Sequence, residues 1–210
     1  ADLFRKHGIT TLVTSCPICL KVFREDYDLP GIEVLHHSEY ILRLIRAGRL
    51  TLEHGSTRFT YHDPCELGRG SGIYDEPRAV IEAVGELLEP ASTRENALCC
   101  GSSVANTAIS DGQQVQIARS VAAQLDATGA EVIVTACPLC HMNLDLRQRQ
   151  AARISKKSFF GLPVFYYTQL IALAFGLPKN AMRLDKLAVN PYPLLDKIAE
   201  RRKARVAADL

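Results

Sequence analysis

Seven cysteines stand in four tight groups: Cys16-Pro17-Ile18-Cys19, Cys65, Cys99-Cys100-Gly101 and Cys137-Pro138-Leu139-Cys140. Seven is odd, so disulfides cannot pair them all, and 7 in 210 residues is well below the roughly 8–10% of small disulfide scaffolds. Adjacent Cys99 and Cys100 would be strained as a mutual bridge. Thiolates are soft metal ligands and good nucleophiles. Two C-P-x-C tetrapeptides and a Cys-Cys-Gly therefore point to bound metal or redox chemistry rather than to cross-links.

The elements that must position these sulfurs show an internal repeat. Laying residues 8–23 over 129–144 brings Gly, Val, Thr, Cys, Pro and Cys into register. Each copy reads as a short apolar strand (Thr11–Thr14, Val132–Thr135) that ends in C-P-x-C and continues as a helix. Proline suits the first helical turn because its missing N–H would have no partner there. A thiolate at that place faces free backbone N–H groups and the positive end of the helix dipole, which lowers its pKa and favours ligation.

Between the copies, Ile32–Leu35 and Arg58–Tyr61 read as strands. Ser38–Ala47 reads as an amphipathic helix with Ser38 as its N-cap, and Arg78–Leu88 as a helix behind Glu76-Pro77. Asp111–Ala127 carries Val115, Ala118, Val121, Ala122 and Leu125 on one face and is ended by Gly129. Strands alternating with helices predict an α/β fold with parallel pairing. A further helix is expected near Tyr167–Phe175, and the end, KIAERRKARVAADL, reads as a solvated charged helix or frayed tail.

Composition excludes several classes. Net charge is +2, so there is no electrostatic footprint for nucleic acid. The longest apolar run, Leu170–Phe175, is far short of the ~20 residues of a membrane span. The N-terminus begins at Ala1, without Met, and carries no apolar secretory stretch.

The cysteine spacing, with 33 residues between Cys65 and Cys99 and 36 between Cys100 and Cys137, resembles the CCG cysteine-rich repeat found in the B-type and D-type polypeptides of heterodisulfide reductase. The same repeat occurs in the iron–sulfur subunits of glycolate and lactate oxidases. Y-H-D-P-C-E-L-G-R at 61–69 and G-I-Y-D-E-P-R at 72–78 look like the second repeat of the D-type and glycolate-oxidase branch. L-P-V-F-Y-Y-T-Q-L-I-A-L-A-F-G-L at 162–177 and N-P-Y-P-L-L at 190–195 look more like the B-type polypeptide. The resemblance runs from about residue 9 to residue 197.

The resemblance implies an α/β fold of duplicated strand–helix repeats with a helical C-terminal extension. Residues 1–50 would be the tail of a truncated first repeat plus a connector, 51–150 a complete second repeat, and 151–210 the extension. It implies that Cys65, Cys99, Cys100, Cys137 and Cys140 hold a non-cubane 4Fe-4S cluster, with five thiolates where a cubane uses four. Gly101 is expected to remove a Cβ where backbone passes close to the metal. His62 and His141, which flank ligand cysteines, are candidate donors to cluster sulfur. Cys16 and Cys19 would close a first repeat as ligands of a possible second cluster. Its other cysteines should lie further upstream than the 15 residues before Cys16 allow, so the chain reads as a C-terminal portion of a duplicated protein.

The function implied is that of an iron–sulfur subunit in a heterodisulfide-reductase-like complex, reducing a disulfide substrate or relaying electrons. Flavin-containing and ferredoxin-like iron–sulfur subunits would be its partners, in the cytoplasm or held at the inner membrane face through them. Three readings compete: a structural zinc site in a docking module, the electron-transfer subunit of a glycolate or lactate oxidase, and a thiol–disulfide exchanger using Cys16 and Cys19. His36-His37 has no ligand-spaced partner and reads as surface. Gly68-x-Gly70-x-Gly72 lacks the context of a phosphate loop and reads as a turn. Arg69 and Arg78 fit either packing or anion contacts.

Overall fold

Two strand–helix–strand crossovers, each wound around a C-P-x-C motif, organise the chain. A computed structural model describes residues 1–102, 110–155 and 161–208. After the short helix α1 (Asp2–Lys6), β1 (Thr11–Thr14) leads through Cys16 into α2 (Pro17–Glu25) and the chain returns as β2 (Glu33–His36), parallel to β1. Helix α3 (His37–Arg46) follows β2 without a loop. Next come β3 (Arg58–His62), α4 (Asp75–Glu82) and β4 (Glu86–Leu87), then α5 (Asp111–Asp126). Strand β5 (Val132–Thr135) runs through Cys137 into α6 (Pro138–Ser155), back as β6 (Val164–Tyr166) and straight into α7 (Tyr167–Ala174); α8 (Tyr192–Ala208) comes last. The second sheet has the order β4-β3-β5-β6, and every pair in it is parallel.

Parallel strands need crossovers, and the helices in those crossovers cover both faces of the sheet. This is why β5 reads V-I-V-T without polar alternation: all four residues are buried. Val132 and Val134 pack with Phe59, Tyr61, Phe165 and Tyr167 on the side of α4, α7 and α8, while Ile133 packs with Val121, Leu125 and Leu144 of α5 and α6. Each such side chain contributes roughly 1.5–3 kcal/mol by leaving water. Among the described residues, no helix is long and apolar enough to cross a membrane.

The α/β architecture and parallel pairing expected from the sequence are present, with three local corrections. First, Arg78–Leu88 is not one helix. Helix α4 starts earlier, at Asp75, with two acids in its first turn, and stops at Glu82. The chain then extends as β4, pairing Arg58 with Glu86 and Phe59 with Leu87. Sheet pairing overrides helix propensity here. Second, Ser38 is not the cap of α3. His36 is: its ring Nδ1 meets Ser38 Oγ at 2.8 Å, and its backbone N–H donates to Glu39 Oε2 at 2.8 Å. Third, His36 and His37 are not surface residues. Because α3 starts directly off β2, both rings sit at the strand–helix junction, with 0% and 7% exposure. Burial pushes their pKa values down to about 4 and about 3, so they are neutral. The C-terminal charge run is also more than a solvated face. Within it Ile198 is buried, and Arg201 forks onto Glu131 at 2.7 and 2.9 Å.

The repeat extends further than the C-P-x-C motifs. At the start of α7, Tyr166 occupies the place that His36 has in α3, and its N–H donates to Gln169 Oε1 at 2.9 Å as that of His36 does to Glu39. Thr14 pairs with His36 across β1–β2, and Thr135 with Tyr166 across β5–β6. The halves cross-link through the Tyr166 hydroxyl, which donates to the Ser15 carbonyl just before Cys16.

Gly85 shows how closely β4 is fitted. A Cβ there would lie 2.5 Å from Thr57 O and 2.7 Å from Phe59 Cε2. Gly85→Ala is expected to cost about 1–3 kcal/mol in denaturant unfolding, the usual penalty of overpacking. An unchanged unfolding midpoint would show that β4 is not held as described.

Candidate metal centre

Each sulfur of the five-cysteine set is delivered by a different local device. Cys137 leaves the C-terminal end of β5, Pro138 begins α6, and Cys140 falls in its first turn. Cys65 follows β3 by three residues, on a compact turn in which the Leu67 and Gly68 N–H groups return to Pro64 O. It continues through the Gly68–Gly72 stretch, a turn as expected, where the Gly70 N–H returns to Cys65 O and the Gly72 N–H to Gly68 O. Cys99 and Cys100 come from the loop before α5. Parallel pairing of β3 with β5 sets His62 against Thr135, so the segments carrying Cys65 and Cys137 leave the sheet side by side.

The five sulfurs line one cavity, with Ile18 and Leu139, the variable residues of the two C-P-x-C motifs, as apolar wall. Cys100, Cys137 and Cys140 are buried, and Cys65 and Cys99 are half-buried. The sulfurs perturb one another in series: Cys65 with Cys99, Cys99 with Cys100, Cys100 with Cys140 and Cys140 with Cys137. Cys99 is held well below the usual thiol range, chiefly because Cys100 and Cys65 bond to its sulfur, with the Gly101 N–H adding a contact at 3.5 Å. Cys137 is lowered to about 7 by its bond with Cys140, against burial, with further help from the N–H groups of Leu139 and Cys140 at the α6 N-terminus. Cys65 is pushed up by its bond with Cys99 and by burial, and Cys140 by its bonds with Cys100 and Cys137. Charge is thus spread so that neighbouring sulfurs are not ionised together.

His62 ends β3 at 4% exposure. One of its ring nitrogens lies within 4.8 Å of the Cys100 and Cys140 sulfurs, and its Nε2 is buried with no hydrogen-bond partner among the described residues. A buried imidazole nitrogen without a partner is costly unless something occupies the space in front of it. The donor set thus suits a thiophilic metal group: five thiols, two of them adjacent, and one uncommitted nitrogen. His141 differs, because its Nε2 already meets the Val164 carbonyl at 3.0 Å.

Gly101 has a φ of 91°, where a side chain is strained, and a Cβ would press on Gln114 O and Ile117 Cβ at 3.2 Å each. That close approach to α5, with the positive φ, is by itself enough to require glycine here. Cys16 and Cys19 lie outside the five-sulfur cavity. Cys19 is exposed, and partial desolvation of its sulfur together with its contact with Cys16 holds its pKa above the usual thiol range. Tyr166 stands between the two motifs. Burial, and then the charges of Cys137, Cys16 and Cys19, hold its pKa above the usual phenol range.

Four supporting residues carried no clear signal in the sequence. Asn143, one α6 turn after Cys140, donates Nδ2 to the Cys100 carbonyl. Tyr166 ties the two halves. Asp63 and Arg69 flank Cys65 and bond to the segment before Cys99. Arg69 and Arg78 both contact groups of this chain. Only the adjacency of Asp63 to His62 and of Asn143 to the C-P-x-C helix could have drawn attention to them.

Comparison with known proteins agrees with this geometry. The CCG cysteine-rich domain family matches residues 59–145. The chain is 32% identical over 150 residues to an EtfAB:quinone oxidoreductase of Syntrophomonas wolfei, covering 66% of this chain and 21% of the relative. It is 36% identical over 158 residues to a protein of Chromohalobacter salexigens named as a probable membrane-anchored ferredoxin, covering 69% and 23%. It is 29% identical over 152 residues to the D-type polypeptide of the dihydromethanophenazine:CoB–CoM heterodisulfide reductase of Methanosarcina mazei, covering 68% and 37%. The chain thus spans between about a fifth and just over a third of the length of these relatives. Residues 59–145, which carry the five-sulfur cavity, form a CCG cysteine-rich domain and belong to that family.

Proposed function

We propose that this chain is an iron–sulfur-binding part of a heterodisulfide-reductase-like oxidoreductase, with the cluster held by Cys65, Cys99, Cys100, Cys137 and Cys140. The observation that carries the reading is the convergence of five sulfurs on one mostly buried cavity. A structural zinc ion takes four ligands, so a fifth thiol beside an adjacent pair favours a cluster of the five-thiolate, non-cubane 4Fe-4S type. Relatives named as a probable iron-sulfur-binding oxidoreductase and as the B-type polypeptide of a fumarate reductase (CoM/CoB) point the same way. Such a cluster, when bound, supplies reversible one-electron chemistry and an iron site for sulfur.

The chain's own residues supply the setting. The N-terminal N–H groups of α6 favour negative charge on Cys137. Ile18 and Leu139 keep water from the sulfurs. With a cluster bound, the uncommitted His62 ring would donate an N–H toward its sulfur, which would raise the reduction potential. In this reading residues 51–150 are a complete repeat, and 151–210 are an extension whose β6 extends the sheet. Cys16 and Cys19 belong to the C-P-x-C end of a first repeat. Turnover then requires flavin-containing and ferredoxin-like partner subunits, with a disulfide as the substrate class. Those partners would also set any peripheral membrane attachment.

Anaerobic purification with metal and sulfide analysis tests the reading directly. About four irons per five-cysteine set and an EPR signal on oxidation are expected. Zinc alone, with no visible absorption, would sink it. Cys100→Ala should lose most of the iron while His141→Ala retains it, since the His141 Nε2 is occupied by Val164 O; equal losses would mean the ligand set is wrong. His62→Ala should keep its iron but show a lower midpoint potential than wild type, and an unchanged potential would remove His62 from its role.

A further inference from the structure

Cys65 and the Cys99–Cys100 pair reach the cavity on loops, where no strand ladder holds them. Between β4 and Cys99 the regular structure is a 3-10 turn at Arg94–Asn96. The ties that fix this stretch come from residues beside Cys65. The Asp63 carboxylate accepts the Arg94 N–H at 2.8 Å, and the Thr93 hydroxyl lies between Asp63 Oδ2 at 3.2 Å and Glu89 Oε2 at 2.8 Å. Arg78, itself 5% exposed, grips both Asp63 oxygens at 2.7 and 2.8 Å, and also reaches Thr93 Oγ1 at 2.7 Å and Glu89 Oε1 at 2.5 Å. On the other side of Cys65, Arg69 Nη1 donates to Ala97 O at 2.7 Å and Glu95 O at 3.2 Å. Arg94 adopts a φ of 57°, which a non-glycine residue keeps only when its surroundings hold it there.

We propose that Asp63 and Arg69 are positioning residues for the metal centre: they clamp the 93–97 segment to the Cys65 turn, so that Cys99 and Cys100 meet Cys65 before metal arrives. The proposal rests on the iron–sulfur reading above. Its physical basis is preorganisation. Two of the five sulfurs sit on a loop, and ordering that loop at the moment of binding would subtract from affinity and slow loading. The Arg69 clamp ends two residues before Cys99, so loss of either carbonyl contact frees the cysteines directly. Asp63 acts one step earlier, through the strained Arg94 and through Thr93.

Anaerobic reconstitution of the purified chain with ferrous iron and sulfide tests this, with Arg69→Gln as the main variant. Arg69 is exposed, so Arg69→Gln should keep the wild-type circular dichroism and melting temperature. It should load iron about three- to tenfold more slowly, the effect of losing one or two hydrogen bonds. Its oxidised EPR lines should be broader than wild type, and Arg69→Lys should recover part of the rate. Asp63→Asn should show the same slowing with a lower melting temperature, because Arg78 loses its buried partner. If Asp63→Asn does not fold, Arg69→Gln decides alone. An Arg69→Gln chain that loads at the wild-type rate with unchanged lines overturns the proposal, as does one whose iron loss merely tracks loss of fold. Wild type that binds no iron overturns the iron–sulfur reading instead.

Discussion

Five sulfurs from three segments must meet at one mostly buried point, and parallel strand pairing is what makes this possible. Parallel strands end on the same side of a sheet, and open α/β folds gather their chemistry beyond those ends. Here β3 and β5 end together, with His62 opposite Thr135. Cys65 and Cys137 therefore leave the sheet as neighbours. Helix α6 then starts at Pro138 and turns Cys140 and its free N–H groups toward the same point. The third segment, with Cys99 and Cys100, has no strand to guide it. It relies on Asp63, Arg69 and Asn143, whose contacts reach it from the two other cysteine-bearing segments.

Crowding sulfurs carries an electrostatic cost, and each sulfur shifts the ionisation of its neighbours. Cys99 is held low while Cys65 and Cys140 are pushed high, so protons are shared along the series rather than removed together. Binding of any thiophilic metal must displace those protons, which ties loading to pH. The same economy appears beneath the site. Arg78 and Asp63 are both almost fully buried, a pairing that is tolerable only because every oxygen of Asp63 has donors and Arg78 also has Glu89 and the Tyr74 carbonyl.

The repeat gives the molecule its second layer of organisation. Each half runs strand, C-P-x-C, helix, strand, helix, and each second strand passes directly into a helix capped from its third position by Glu39 or Gln169. His36 and Tyr166 hold equivalent places with different chemistry. Tyr166 extends a hydroxyl to the opposite half at Ser15 O, whereas His36 turns its Nδ1 to Ser38 within its own half. His37 stacks on Tyr167 with ring centroids 5.0 Å apart, joining the halves through a neutral aromatic core.

Local sequence determined a great deal. Strand, C-P-x-C and helix follow from apolar run and Pro placement, because hydrophobic period and helix-start chemistry are written in neighbouring residues. The resemblance in cysteine spacing singled out five sulfurs, and those five share the cavity. What only tertiary structure decided lies across long separations. Glu86 and Leu87 extend as β4 because β3 offers a partner for pairing, which no window around them reveals. His36 and His37 look like exposed histidines until two strand ends and Tyr167 close over them. Asp63, Arg69, Asn143 and Tyr166 gain their roles from groups 26 to 151 residues away. Propensity acts over a few residues, whereas burial and hydrogen-bond partnership are set by which surfaces the fold brings together.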